Sequence, residues 1–282
     1  MERKRIAIVG IGLIGGSLAI QLHEKKIASR LMGVDANKEH EAKAVELELV
    51  DEVLPLDEAI AKSDVVVLAI PVDLMTKLLP LVLDHVTNQI VLDLGSTKSQ
   101  LLDAVKDHPK RGRYVATHPM WGTEYSGPAA AVRGAFEDKA VIICNEDESD
   151  ADATAWVKYM YKKIGMHLLS MEAKAHDLHA AYVSHISHIT SFALANTVLE
   201  KEKEDQAIFE LASAGFASTV RLAKSNPNMW VPIFLQNKEH VLDVLDEHIE
   251  QLKKFRSSIA DDDSKKLKGL IENANEIRRI LK

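Results

Sequence analysis

The sequence predicts an α/β protein, a doubly wound sheet followed by an all-helical unit, and three observations carry that expectation. Short β-branched runs alternate with helical segments through the first 170 residues. A G-x-G-x-x-G triplet closes the first of those runs and opens the first helix. From about residue 171 strand patterning ceases, and apolar residues recur at three- and four-residue spacing.

In chain order, Arg5 to Val9 (RIAIV) reads as the first strand and residues 13–25 as the first helix. Leu31 to Val34 is a second strand, followed by a charged helical stretch from Lys38 to Leu49. Asp64 to Ile70 (DVVVLAI) is a continuous apolar run closed by Pro71, as expected of a strand covered on both faces. Gln89 to Leu94, Tyr114 to Thr117 and Ala140 to Ile143 repeat the pattern, which implies βαβ units with right-handed crossovers. Beyond the junction near Ser170, Met171 to Leu199, Val231 to Leu245 and Ile249 to the C-terminus read as helices, with Pro227 and Pro232 bracketing a bend. The expected domains are residues 1–170 and 171–282. Several of the late helices are too apolar for free solvation, which points to burial against a second subunit.

Composition narrows the function. The 282 residues carry 35 Lys+Arg against 42 Asp+Glu, a formal net charge of −7 with no long basic run, which argues against nucleic-acid or membrane-surface partners. Hydrophobic residues at 46% and charged residues at 27% fit an ordinary globular chain rather than a disordered one. The single Cys144 excludes an intrachain disulfide framework and a Cys-cluster zinc site. No stretch reaches the length of a membrane span, and the N-terminus enters a strand directly, so a cytoplasmic location is expected.

Gly10, Gly12 and Gly15 form a Rossmann fingerprint: the first permits the tight turn, the second lets a pyrophosphate approach, the third admits close helix packing. The helix start at Leu13 and Ile14 offers backbone N–H groups and the positive end of the dipole to that diphosphate. Asp35, 20 residues after Gly15 at the end of the second strand, is placed to accept from ribose hydroxyls and to repel a 2′-phosphate, so NAD is favoured over NADP. Ile70 and Pro71, at a later strand end, flank the expected nicotinamide side or simply end the strand.

Three further segments carry chemistry. Asp93 to Lys98 (DLGSTK) places Ser96 where ligands bind such sheets, though Ser96 or Thr97 would also serve as a helix cap. His118 to Pro128 (HPMWGTEYSGP) concentrates His118, Thr123 and Glu124 just after a strand, where a neutral imidazole can accept a proton as a hydride leaves. In the helical half, His185 and His188 stand three apart on one helix face; no carboxylate or Cys completes a metal set, and substrate contact is the favoured role for one of them. His176, Asp177 and His179 read as structural. Arg221 can grip a carboxylate bidentately or form a surface ion pair, and Trp230 is a candidate anchor for core or substrate.

Together, GIGLIGGS at Gly10 to Ser17, DLGSTK, HPMWGTEYSGP, SHISH at Ser184 to His188 and GFASTVRLAKSNPNMW at Gly215 to Trp230 resemble the prephenate dehydrogenase family, over nearly the whole chain. The resemblance implies a Rossmann domain, an all-helical dimerisation domain, NAD as cofactor and a homodimer. The implied activity is oxidative decarboxylation of prephenate to 4-hydroxyphenylpyruvate, CO2 and NADH, with arogenate as the alternative substrate. It also implies that His118 bonds the ring hydroxyl with Ser96 beside it, that Thr123 and Glu124 belong to the pocket's polar network, that His188 reads the side chain and that Arg221 binds a carboxylate. Ser218, Val220 and Trp121 depart from the family's usual Asp, Thr and small residue. Two rival readings use less of the pattern: a hydroxyacid or imine oxidoreductase on the same plan, and a non-catalytic NAD-binding sensor.

Overall fold

The computed structural model describes residues 2–280, and its centre is one eight-stranded sheet. The strands are β1 (Lys4–Val9), β2 (Ala28–Val34), β3 (Glu52–Val53), β4 (Val65–Leu68), β5 (Ile90–Asp93), β6 (Tyr114–Pro119), β7 (Ala140–Cys144) and β8 (His167–Met171), in the order β3-β2-β1-β4-β5-β6-β7-β8. The strand order reverses between the parallel neighbours β1 and β4, and this is the switch point at which ligands of such sheets bind.

Alternation along each central strand explains the unbroken apolar runs. Ile6 and Ile8 of β1 and Val65 and Val67 of β4 enter one core layer, with Leu18, Leu22, Trp156 and Met160. Ala7, Val9, Val66 and Leu68 enter the opposite layer, with Met75, Leu79 and Leu83. Both faces are covered, so every position from Ile6 to Val9 and from Val65 to Leu68 is apolar.

The sheet departs from an all-parallel plan at one pair. β6 and β7 run antiparallel, with His118 opposite Ile142 and Pro119 opposite Val141. The connection between them contains only a 3₁₀ turn, Pro128–Ala130, and without a crossover helix the chain returns antiparallel. A true crossover, the helix Ala151–Ile164, then restores parallel pairing between β7 and β8. That helix ends at Gly165, whose φ of +98° is the left-handed C-cap conformation that favours glycine.

After β8 the chain is helical. A helix at Ala173–Ala180 passes through a π-helical turn, Ala181–His185, into the helix Ile186–Glu202. The expected bend between Pro227 and Pro232 is corrected: Pro227 opens the helix Pro227–Gln236 and Pro232 lies inside it. Asn226 caps that helix by accepting from the Asn228 N–H at 2.9 Å, and Pro is well suited to the first helical position. The continuous helix expected over Val231 to Leu245 is likewise broken at Asn237.

Compactness divides the described chain into residues 1–237 and a second unit from Lys238. The second unit contains the helices Lys238–Ala260 and Ser264–Asn275, the latter capped by Asp263 accepting from the Lys266 N–H at 2.9 Å. Within the first unit, Ser191 is the one residue of Ile186–Glu202 that is buried, while Val183, Leu199, Leu211 and Leu235 are exposed. No helix among the described residues is long and apolar enough to cross a membrane.

Candidate active site

The glycine loop has the shape a dinucleotide needs. Gly10 adopts φ +96°, and a Cβ there would lie 2.5 Å from the Ala69 carbonyl oxygen. A Cβ on Gly15 would lie 2.0 Å from the Gly10 carbonyl oxygen, so this position must be glycine for the loop to close on the helix. At Gly12, by contrast, a Cβ would meet no atom within 4 Å. The chain itself does not require glycine at that position, whereas a diphosphate approaching the backbone does. Leu13 and Ile14 begin the helix Leu13–Glu24, which no side chain caps, so its N-terminal N–H groups face the loop without a side-chain acceptor. Asp35 follows β2, and its carboxylate accepts from the Ile11 and Asn37 N–H groups, each at 2.9 Å, which fixes it beside the loop. Ile70 packs close to Gly10, and Pro71 caps the helix Val72–His85. Phosphate cradle, acidic strand end and flanking residues thus converge at the carboxyl edges of β1, β2 and β4.

Next along that edge are the DLGSTK loop after β5 and His118 on β6. A buried ion pair anchors the loop: Lys98 Nζ contacts Asp93 Oδ2, and both side chains are fully shielded from solvent. Asp93 also accepts from the Gly95 N–H at 2.8 Å, the Tyr114 hydroxyl at 2.8 Å and the Thr117 N–H at 3.0 Å. These bonds join β5 to β6 and set the turn that carries Ser96, which is half-buried. Thr97 is instead used structurally, donating to Gln236 Oε1 at 2.6 Å.

His118 is 9% exposed. Burial first, and then the neighbouring His176 and Lys98, hold its imidazole well below the usual histidine range, so it is neutral at physiological pH. Its Nδ1 lies 2.8 Å from His176 Nε2, and His176 Nδ1 lies 2.8 Å from Asp177 Oδ1. Asp177 is held by the DLGSTK segment, accepting from the Lys98 and Ser99 N–H groups at 2.8 Å each. Burial works against the ionised carboxylate, but the His176 and Ser99 hydrogen bonds prevail and keep it below the ordinary range. His176 and Asp177, read from sequence as structural, therefore belong to the site. Neighbours in sequence, they gave no signal toward His118, which precedes His176 by 58 residues.

The π-helical turn ends on His185 and leads into the helix that carries His188. His185 is buried, Asn237 Nδ2 lies 3.2 Å from its Nδ1, and burial lowers it to about 4. His188 is half-buried and stacks on Trp230, ring centroids 3.4 Å apart at 26°. Burial lowers it as well, partly offset by its bond to the Ser184 carbonyl. Trp230 itself is buried in a small cluster with Val72 and Ile233, and His188 stacks on its indole.

The loop after β6 supplies the charged end. Arg221 Nη1 lies 2.9 Å from Glu124 Oε2, an ion pair half exposed on the arginine side. Glu124 is held below the usual carboxylate range by a backbone hydrogen bond, with Arg221 adding to the effect. Thr123 accepts from the Tyr125 N–H at 3.3 Å, and Trp121 packs edge-on against Phe136 at 5.5 Å. The structure thus links Arg221 to Glu124, and His188 to Trp230.

Comparison with known proteins agrees along the whole chain. The family model for the prephenate dehydrogenase nucleotide-binding domain matches residues 18–170, and that for the prephenate dehydrogenase dimerization domain matches residues 172–273. The chain is 31% identical to the cyclohexadienyl dehydrogenase of Zymomonas mobilis, over 99% of this chain and 96% of that protein. It is 29% identical to the prephenate dehydrogenase of Bacillus subtilis, over 97% of this chain and 75% of that one. The fold superposes on prephenate dehydrogenase from A. aeolicus in complex with hydroxyphenyl propionate and NAD+, with a TM-score of 0.91 and 28% identity, covering 100% of this chain and 99% of that one.

Proposed function

The chain belongs to the prephenate dehydrogenase family, and we propose that it converts prephenate and NAD+ to 4-hydroxyphenylpyruvate, CO2 and NADH. The observation that carries this reading is His118: a neutral, buried imidazole at the carboxyl end of β6, beside the strand that leads into the Ser96 loop.

Gly10, Gly12, Gly15 and the first turn at Leu13 and Ile14 would hold the pyrophosphate, Asp35 the ribose hydroxyls, and Ile70 and Pro71 the nicotinamide end. NAD+, when bound, supplies the hydride acceptor. The ring carbon of prephenate carries a hydroxyl and a hydrogen, opposite a quaternary carbon that bears a carboxylate. His118 accepts the hydroxyl proton as the C–H electron pair leaves, with Ser96 orienting the hydroxyl. The carboxylate then departs as CO2, and its C–C electron pair completes the aromatic ring. Aromatisation drives the step, so the protein's task is placement, which can lower a barrier by roughly 7–11 kcal/mol at the upper limit. His118 has the neutral form the task requires, since a protonated imidazole could not accept.

Arg221 is the proposed ligand for a substrate carboxylate, exchanging Glu124 for it, with Thr123 and Glu124 in the polar wall and His185, His188 and Trp230 around the side chain. Arg221→Leu is expected to raise KM for prephenate roughly 10–100-fold while kcat changes little, the loss of one charge-assisted, bidentate contact. Steady-state kinetics at saturating NAD+ checks it; an unchanged KM would place the carboxylate elsewhere. Gly12→Ala is expected to leave thermal stability unchanged, since the added methyl enters open space, but to raise KM for NAD+ by about tenfold or more, because that space is the diphosphate's. Titration calorimetry with NAD+ alone separates this from any effect on chemistry.

A cytoplasmic homodimer joined through the helical domain, which would cover the exposed Val183, Leu199, Leu211 and Leu235, is part of the same proposal. Parallel assays with prephenate and arogenate, which differ in a keto against an amino group, test the substrate. Faster NADH formation from prephenate supports the reading; turnover with arogenate alone would replace it with the arogenate reaction.

A further inference from the structure

We infer that His176 and Asp177 are positioning residues that hold His118 in a single tautomer, with its proton on Nδ1 and its lone pair on Nε2. The inference rests on the role proposed for His118, but its geometry does not.

The assignment starts from Asp177. An ionised carboxylate has no proton to give, so both of its oxygens are acceptors. Oδ1 receives the Lys98 N–H at 2.8 Å, Oδ2 receives the Ser99 N–H at 2.8 Å, and His176 Nδ1 at 2.8 Å from Oδ1 must therefore be the donor. An imidazole that carries its one proton on Nδ1 has a lone pair on Nε2, and this is the form assigned to His176. His118 Nδ1, 2.8 Å from that lone pair, must then donate. Each hydrogen bond fixes the next, and the chain of three ends with His118 Nε2 free to accept a proton from outside the protein.

Two features make the relay rigid. Asp177, His176 and His118 are all buried, so no water competes for the shared protons. Asp177 is also pinned to the same turn that carries Ser96, and Asn237 Nδ2 donates to its carbonyl oxygen at 2.7 Å. The relay thus couples the imidazole to the loop with which it shares the substrate hydroxyl. It does further work once His118 has taken its proton: the new positive charge lies two hydrogen bonds from the Asp177 carboxylate rather than against an apolar wall. The charged groups facing His118 from its surroundings are Lys98, already paired with Asp93, and Asp177, with His176 and His185 as the neighbouring titratable rings.

The direct test is 15N NMR of histidine-labelled wild-type protein at neutral pH, with the His118 signals identified by their loss in His118→Asn. The expected spectrum has a protonated Nδ1 and an unprotonated Nε2 on His118. A proton on Nε2 would mean that His176 donates to His118 and would overturn the inference. This readout needs no turnover, so failure of the proposed reaction and failure of the relay are separate results. Two variants supply the kinetic half. His176→Phe, which cannot accept, is expected to lose about 10²-fold in kcat with KM for both substrates nearly unchanged, while His176→Gln, whose amide oxygen can accept from Nδ1, regains about tenfold of that. Equal losses in the two variants, or a loss confined to KM, would reduce His176 to a packing residue.

Discussion

His118→Asn is expected to lower kcat by about 10²–10⁴-fold while leaving KM for prephenate and NAD+ within a few-fold of the wild type. Asparagine can fill part of the space and still bond a hydroxyl, but it cannot take a proton. The split between kcat and KM separates a proton acceptor from a binding residue, since loss of a binding contact would appear in KM. The pH dependence follows from the direction of the shift. The base must be unprotonated to act, and burial with the neighbouring His176 and Lys98 depresses His118 below the usual 6.5. The acid limb of kcat/KM should therefore lie below the ordinary histidine range, with activity held through neutrality and lost only as the pH falls further. A limb at or above 6.5 would mean that another group is the base.

The second large effect is on stability. Lys98→Met keeps the length of the side chain and removes the charge that faces Asp93 in a solvent-free interior. Asp93 would retain its three neutral donors, Gly95, Tyr114 and Thr117, yet lose its counter-ion. An uncompensated buried carboxylate costs about 3–5 kcal/mol. For a chain of this size that corresponds to a fall in melting temperature of roughly 5–20 °C. The double variant Asp93→Asn/Lys98→Met should recover part of the loss, because the stranded charge is then gone. Calorimetric scans of wild type, single and double variants give the answer; a single variant as stable as the wild type would show that the Lys98–Asp93 contact does not hold the loop.

The strands that could be read from sequence are those with both faces covered. Val65 to Leu68 and Ile90 to Asp93 sit between two apolar layers, and that burial is written as an unbroken run. β8 (HLLSM) is mostly exposed at the sheet's edge and β3 has two residues, so neither carries such a run. β7 is legible as a strand from its apolar run, but its antiparallel direction is not: direction depends on what the connection contains, and an irregular loop rich in Gly and Pro does not announce that it replaces a crossover helix. The break at Asn237 depends on a contact with Asp177 far earlier in the chain, which local periodicity cannot register.

The site divides the same way. The glycine loop and Asp35 are legible because a short stretch of chain must bend round a diphosphate, and the spacing records that bend. His118 stands out because an imidazole closes an apolar strand run, and the structure extends that strand, β6, through it. The groups that set its protonation do not, since His176 reaches it only through the packing of the helix Ala173–Ala180 against the sheet edge, and Asp177 only through backbone N–H groups of the Ser96 loop. Arg221 could be read as a carboxylate ligand or as half of a surface pair, and in the unliganded chain it is paired, with Glu124. A guanidinium serves either anion with the same geometry, so residue type and spacing alone do not separate the two readings.

In the proposed reaction the hydride and the ring carboxylate are lost in one turnover at His118. The most direct measurement follows NADH formation and CO2 release together, from prephenate labelled in its ring carboxylate, with purified protein and NAD+. One CO2 is expected for each NADH, with both signals falling together in His118→Asn. NAD+ binding without either product, or NADH without CO2, would contradict this reaction.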